Sequence, residues 1–245
     1  MFQWLRSYLL LLRWSILRLK YMLPLMLIIQ TMLAVGIVIG FSFLLPEVDK
    51  NTALYLATGA PTLGLITVGM VLAPQMIAQA KTEGTFEYNR TLPVPRSAIL
   101  AADVSIWLGT SLPGLALALL TATLRFDIEL DISPAVVPAI LLVALTATAI
   151  GYAIAYAAPA ALASLIAQLI VFIALMFSPI NFPADRLPGW LQTVHEVLPF
   201  QYMADAVRST LAVPAGGISV TPFVVLSVWC VAGLAITLQI MTRRP

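Results

Sequence analysis

Side chains able to do chemistry are scarce in this chain, and most gather in two places. The first is Lys81–Arg96, KTEGTFEYNRTLPVPR, with three of the 13 basic residues and two of the 11 acidic ones. Glu87 and Arg90 sit three apart, acid first, a favourable helical pair. Gly84 loosens the start of that short helix. Pro93 and Pro95 stop it, since each lacks an N–H and pushes the preceding residue towards extended geometry. Ser97 is placed to cap the next helix. A compact helix-and-elbow of this kind suits docking to a second protein; the plainer reading is a solvated loop with turn prolines. The second place holds Asp205 and Arg208, three apart on one face of a predicted helix. They read as a local salt bridge or as a gate that breaks and re-forms.

The remaining groups exclude more than they offer. His195-Glu196 begins like H-E-x-x-H, but there is one histidine in the chain, so no zinc site of that type exists. The pair reads as solvated or headgroup-facing. The single cysteine, Cys230, excludes an internal disulfide and a cysteine-rich metal site. No G-x-x-x-x-G-K-[ST] occurs, so ATP is not bound by that route. The sequence therefore predicts no catalytic, cofactor or metal residue.

The elements that must position these groups are membrane helices. Of 245 residues, 61% are hydrophobic and 10% charged, where soluble chains carry about 25% charged. Mean hydropathy is +0.99. Several apolar runs reach the ~20 residues a spanning helix needs, and strict apolar–polar alternation is absent. Residues 1–20 place Arg6, Arg13 and Lys20 at seven-residue intervals on one helix side, with Trp4, Tyr8 and Trp14 suited to the headgroup zone. They read as an amphipathic interfacial helix, or else as a basic extension of the first span; no cleavable signal is apparent. Spans follow at about 21–45, 53–77, 97–124 (interrupted by Pro113-Gly114), 134–156, 160–179 and 220–241. Between spans five and six, 180–217 is too broken to span and too apolar for a free loop. Two short helices, about 188–197 and 200–211, read as a re-entrant hairpin.

The polar stretch carries a resemblance. EGTFEYNRTLPVPRSAIL resembles the cytoplasmic signature of type-2 ABC exporter permeases, a variant of E-x-G-T-hydrophobic-E…T-P-hydrophobic-S/P-R-x-x-hydrophobic-L. The resemblance implies that Glu83, Gly84, Thr85, Glu87, Pro93, Pro95 and Arg96 receive motion from a separate ATPase. Many members carry a lysine two turns after the arginine, where this chain has Asp103. SPINFPADRLPGWLQTVHEVLPFQYMADAVRSTL is similar to a second segment of that family, through Ser178, Pro179, Pro183, Leu187, Pro188, Trp190, Pro199, Tyr202, Asp205 and Arg208. The family often has Asn-Pro where this chain has Leu198-Pro199. Together the motifs and spans cover nearly the whole chain.

These readings converge on an all-α integral membrane protein, one permease domain over 1–245. It has six transmembrane helices, an interfacial helix at 1–20, a cytoplasmic coupling helix within 81–96 between spans two and three, and a re-entrant helical hairpin at 180–217. With both termini inside, nine Lys/Arg lie on the inner side and four on the outer, as the positive-inside rule asks. No ionisable residue sits at mid-span, Asp103 coming nearest, which argues against ion-coupled transport. Mid-span Gln30 and Gln168 are read as helix glue or as parts of a substrate path.

The family resemblance implies a half-transporter in the inner (plasma) membrane of a prokaryote. A second copy or a homologous permease would pair with it, and two ABC ATPase subunits would supply the ATP and Mg. The expected cargo is a drug, antibiotic, lipid or lipid-linked glycan, with membrane lipids around and no nucleic acid. A membrane scaffold or channel subunit, or a lipid-modifying enzyme, are the competing classes; the enzyme lacks its carboxylate cluster or Ser–His pair.

Overall fold

The chain begins with α1 (Phe2–Leu19), which a turn at residues 20–22 sets off from α2 (Leu23–Leu44). The computed structural model describes residues 2–44, 50–85, 93–128, 130–212 and 217–242. The expectations for Glu87, Arg90, Arg243 and Arg244 lie outside these.

α3 (Lys50–Thr67), a π-helical turn (Val68–Leu72) and α4 (Ala73–Thr82) follow one another without a break. Pro74 has no N–H for the Met70 carbonyl, and the wider π register absorbs such a defect. Thr58, Thr62 and Thr67 return their hydroxyls to the carbonyls of Leu54, Thr58 and Leu63, which satisfies them in apolar surroundings. α4 ends because Gly84 adopts φ +75°, a left-handed stop. Lys81 and Thr82 therefore belong to the helix, and the polar loop begins at Glu83, not at Lys81.

α5 (Arg96–Phe126) runs unbroken through Pro113-Gly114, contrary to the sequence expectation. Pro113 leaves the Gly109 carbonyl without its i+4 N–H, and a spanning helix tolerates such a loss inside protein. Here Gln30 of α2 donates to the Ser111 carbonyl at 3.1 Å, and its amide fits against Gly114, where a Cβ would approach to 2.9 Å. Ser97 does not cap α5 either. Pro95 occupies the cap position, and the Ser97 hydroxyl instead accepts the Trp4 indole N–H at 3.0 Å. A second bond, Tyr8 hydroxyl to Ser105 hydroxyl at 2.9 Å, helps hold α1 along the start of α5.

α6 (Val136–Ala157) and α7 (Ala160–Phe177) are joined by the short turn at Ala158-Pro159. Then come a 3-10 turn (Ala184–Arg186), α8 (Gly189–His195), α9 (Pro199–Leu211) and α10 (Thr221–Thr242). The two hairpin helices fall within two residues of their expected bounds. Among the described residues, six helical segments are long and apolar enough to cross a membrane: Leu23–Gly40, Thr52–Thr82, Arg96–Phe126, Val136–Ala157, Ala160–Phe177 and Thr221–Thr242. The fold is thus all-α and multi-pass, as the sequence predicts.

Packing relies on small residues. Gly69 in the π turn meets Ala147 and Thr148 of α6, with backbone 2.6 Å from where its Cβ would be, and Gly151 lies directly on the Gly69 carbonyl. Such approach lets backbones touch without large side chains between them. α6 packs most heavily on α10, and α5 on α2, α1 and α3. α9 is sunk into the bundle: Met203, Ala204, Ala206 and Val207 are fully buried against α3, α6 and α10. The outer faces of α7 stay apolar and exposed, including Leu165, Leu169, Phe172 and Met176.

Candidate functional site

Two polar sites stand at opposite ends of the α3–π–α4 rod. Thr58 near its start touches the hairpin, and Lys81 near its end touches the α6–α7 corner. They are 23 residues apart, or ~35 Å of helix.

At the loop end, Glu83 is exposed and accepts a hydrogen bond from the Gln79 amide at 2.7 Å. Gly84 supplies the left-handed stop, Thr85 is half-buried, and Pro93 and Pro95 are exposed. Arg96 is half-buried at the first turn of α5. Lys81, which sequence reasoning did not single out, donates to the Ala155 carbonyl at 2.5 Å and to the Ala158 carbonyl at 2.9 Å. These are C-terminal carbonyls of α6, where a helix presents partial negative charge, so a cation there is favoured. The stems of the loop differ in their main neighbours: α4 packs on α6 and α7, and α5 packs chiefly on α2, α1 and α3. α4 and α5 scarcely touch each other.

At the hairpin end, Arg208 and Asp205 form an ion pair at 2.8 Å. The guanidinium also donates to Thr58 Oγ1 of α3 at 3.2 Å and to the Ile180 carbonyl at 2.6 Å, and it lies 3.8 Å from the centre of the Tyr55 ring. A planar five-donor group suits such a junction, because each partner takes a different edge or face. Burial pushes the Asp205 carboxyl above its usual range, against the opposing pull of Arg208 and of a hydrogen bond from Gln201. Burial likewise lowers Arg208, with Asp205 and Tyr55 opposing.

The other hairpin residues mostly shape turns. Pro183 and Pro188 precede the 3-10 turn and α8, and Pro199 opens α9. The Leu187 carbonyl accepts from the Gln192 amide at 2.8 Å. The Tyr202 hydroxyl donates to the Glu196 carbonyl at 2.7 Å. Trp190 is 70% exposed, so it points away from the bundle.

His195 departs from its expected solvated state. It is buried, with Nε2 3.0 Å from the Phe177 carbonyl, which makes Nε2 the protonated nitrogen. Burial lowers its pKa, and the bond to Phe177 partly opposes this. Glu196 stays exposed. Nδ1 of His195, Ser178 Oγ and Asn181 Oδ1 are buried with no partner. Gln30 is buried and spent on Ser111, whereas Gln168 is exposed on α7. Neither site brings together a nucleophile, a base and an orienting group. Among the described residues no cluster of three or more metal-ligating side chains occurs.

The described residues thus place a polar loop between α4 and α5 at one end and a hairpin joined to α3 through Arg208 at the other. A family model described as ABC-2 type transporter matches residues 6–212. No curated protein matches the chain. With most of its length matched, the chain belongs to the ABC-2 type transporter family, as a membrane permease subunit of an ABC transporter.

Proposed function

We propose that this chain, acting as one permease domain, is the transmembrane half of an ATP-driven exporter. Two copies, or one copy and a homologous permease, enclose a path between them. Two ABC ATPase subunits bind ATP and Mg, dock at residues 83–96 and drive alternating access. Glu83, Gly84, Thr85, Glu87, Pro93, Pro95 and Arg96 form the docking element. The observation that carries this reading is the division of the loop's stems. Because α4 packs with α6 and α7 while α5 packs with α2, α1 and the α3 end of the same rod, displacement of the loop bears on both groups of helices. The hairpin closes the outer end, and the Asp205–Arg208 pair at 2.8 Å serves as its clasp.

A hydrophobic or amphiphilic cargo (drug, antibiotic or lipid) fits the interior. Thr62, Thr146, Thr148 and Thr237 each return a hydroxyl to a carbonyl of their own helix, and Gln30 is occupied, so few mid-span groups remain to bind a polar solute. The protein is placed in a prokaryotic inner membrane, and the distribution of Lys and Arg supports cytoplasmic termini there.

The test is purification of the tagged chain from its native membranes in mild detergent. A co-purifying ABC ATPase whose hydrolysis rises when the chain is reconstituted with it supports the reading. A second permease in the eluate makes the transporter a heterodimer. Absence of both the ATPase and the stimulation overturns it.

A further inference from the structure

α1 has one side turned to the bundle. The Trp4 indole N–H donates to the Ser97 hydroxyl, the Tyr8 hydroxyl bonds that of Ser105, and Ser15 and Leu19 are buried. Ser15 and Leu19 also line a partly open cavity of about 420 Å³ shared with α4, α5, α6 and α10. Arg6 and Arg13 stand elsewhere. Each precedes a bundle-facing residue (Tyr8 or Ser15) by two positions, which is about 200° round a helix of 3.6 residues per turn. The two arginines therefore form a line on the side away from the bundle. Both are exposed, and neither makes a hydrogen bond or ion pair with another described residue.

This line is not set in a polar face. Leu5, Leu9 and Ile16 flank it on one side and Leu10 and Leu17 on the other, and all five are exposed. No acidic residue occurs before Glu47, so nothing on α1 neutralises the arginines. Arg18 lies over the Trp14 ring at 5.1 Å and Lys20 over the Tyr21 ring at 4.7 Å, so those two cations already have partners. Water would leave the aliphatic side chains unburied, and hydrocarbon alone would strand the guanidinium groups. The boundary between headgroups and acyl chains suits both, because the aliphatic groups enter the chains while the guanidinium groups stay with phosphate. An uncompensated cationic line favours headgroups of net negative charge.

We propose that the outward side of α1 is a docking surface for anionic phospholipid headgroups, with Arg6 and Arg13 on the phosphates and Leu5, Leu9 and Ile16 among the upper acyl chains. Through Trp4 and Tyr8, the same helix then holds the first turns of α5 against that leaflet. The proposal requires only that a membrane surrounds the chain. It does not depend on the exporter reading, and the test measures lipid contact alone.

The full chain carrying Leu9→Cys and Cys230→Ala, with a bimane label at position 9, is reconstituted in mixed vesicles of phosphatidylglycerol and phosphatidylcholine. One lipid or the other is brominated, and the ratio of quenching gives the lipid preference beside α1. Brominated phosphatidylglycerol quenches preferentially. Arg6→Gln with Arg13→Gln lowers that preference, by up to about fivefold for each charge removed. Added salt lowers it as well. Arg6→Lys with Arg13→Lys keeps most of it, so the loss in the glutamine variant is one of charge and not of fold. Equal quenching by the two lipids, or a preference unchanged in the glutamine variant, overturns the proposal. So does a label that neither lipid quenches, which would put a protein against this side of α1.

Discussion

The two ends of the α3–π–α4 rod are tied to their neighbours by one cation each, yet they are built differently. At the hairpin end, Arg208 is gripped by Asp205, Thr58, the Ile180 carbonyl and the Tyr55 ring, above the fully buried Met203, Ala204, Ala206 and Val207. At the loop end, Lys81 holds two carbonyls of the α6 corner, but a cavity of about 420 Å³ opens beside it. The hairpin end can move only by breaking a charged network over a filled core. The loop end is packed on α6 and α7 on one side only, and its other side borders the cavity.

The largest effect should come from undoing the hairpin end. Arg208→Ala leaves Asp205 and the Ile180 carbonyl without their cation, and losing the hydrogen bonds of this mostly buried charged donor costs about 3 kcal/mol. Thermal denaturation in detergent should show a large fall in midpoint, with Arg208→Lys intermediate because it keeps the charge and loses the fork. Crowding the same end should cost less. A Cβ at Gly59 would run into Asn181 Oδ1 and come to 2.7 Å from the Ile180 carbonyl. Gly59→Ala should therefore destabilise by about 2 kcal/mol, the cost of overpacking; an unchanged midpoint would mean that the Ile180-Asn181 turn yields freely.

At the loop end the readout changes from stability to coupling. Lys81→Met removes two hydrogen bonds to the end of α6 at a half-buried site, where water can replace the lost donor. Transport per ATP hydrolysed should drop several-fold while the melting midpoint moves little, and Lys81→Arg should recover most of the ratio. An equal fall in stability at both ends would erase the contrast drawn here.

The smallest effect concerns His195. Its folded pKa is lowered, so between the usual histidine pKa of ~6.5 and its folded value the unfolded chain binds the extra proton. Stability attached to this group is present above that window and is lost as the pH falls through it. One proton limits the slope to about 1.4 kcal/mol per pH unit. Denaturation midpoints between pH 7.5 and 5 should fall less steeply in His195→Gln than in the parent.

Legibility in the sequence followed the range of the interaction. The α6 and α7 spans could be read because continuous apolar runs are bounded by Pro134 and Pro159. The Asp205–Arg208 pair could be read because three residues separate them. Pro113-Gly114 was misleading, since α5 continues through it, and the amide that fits against Gly114 comes from Gln30, 81 residues from the Ser111 carbonyl it reaches. Lys81 gave no signal, its partners being 74 and 77 residues away. The burial of His195 was hidden for the same reason: Phe177, which receives its proton, lies across the α7–α8 connection. Glycines 59, 69 and 151 were the available hints of close backbone approach, but which backbone approaches is a tertiary fact.

The central claim is that the loop at 83–96 takes up the ATPase stroke and passes it along the rod. The most direct measurement is transport and ATP hydrolysis by the reconstituted complex carrying Glu83→Lys and Glu87→Lys together. Both substitutions fall in the polar loop outside the spans, and Glu83 is exposed, so the bundle should fold normally. The account expects hydrolysis to persist while transport is lost. Normal transport by that double variant would contradict it.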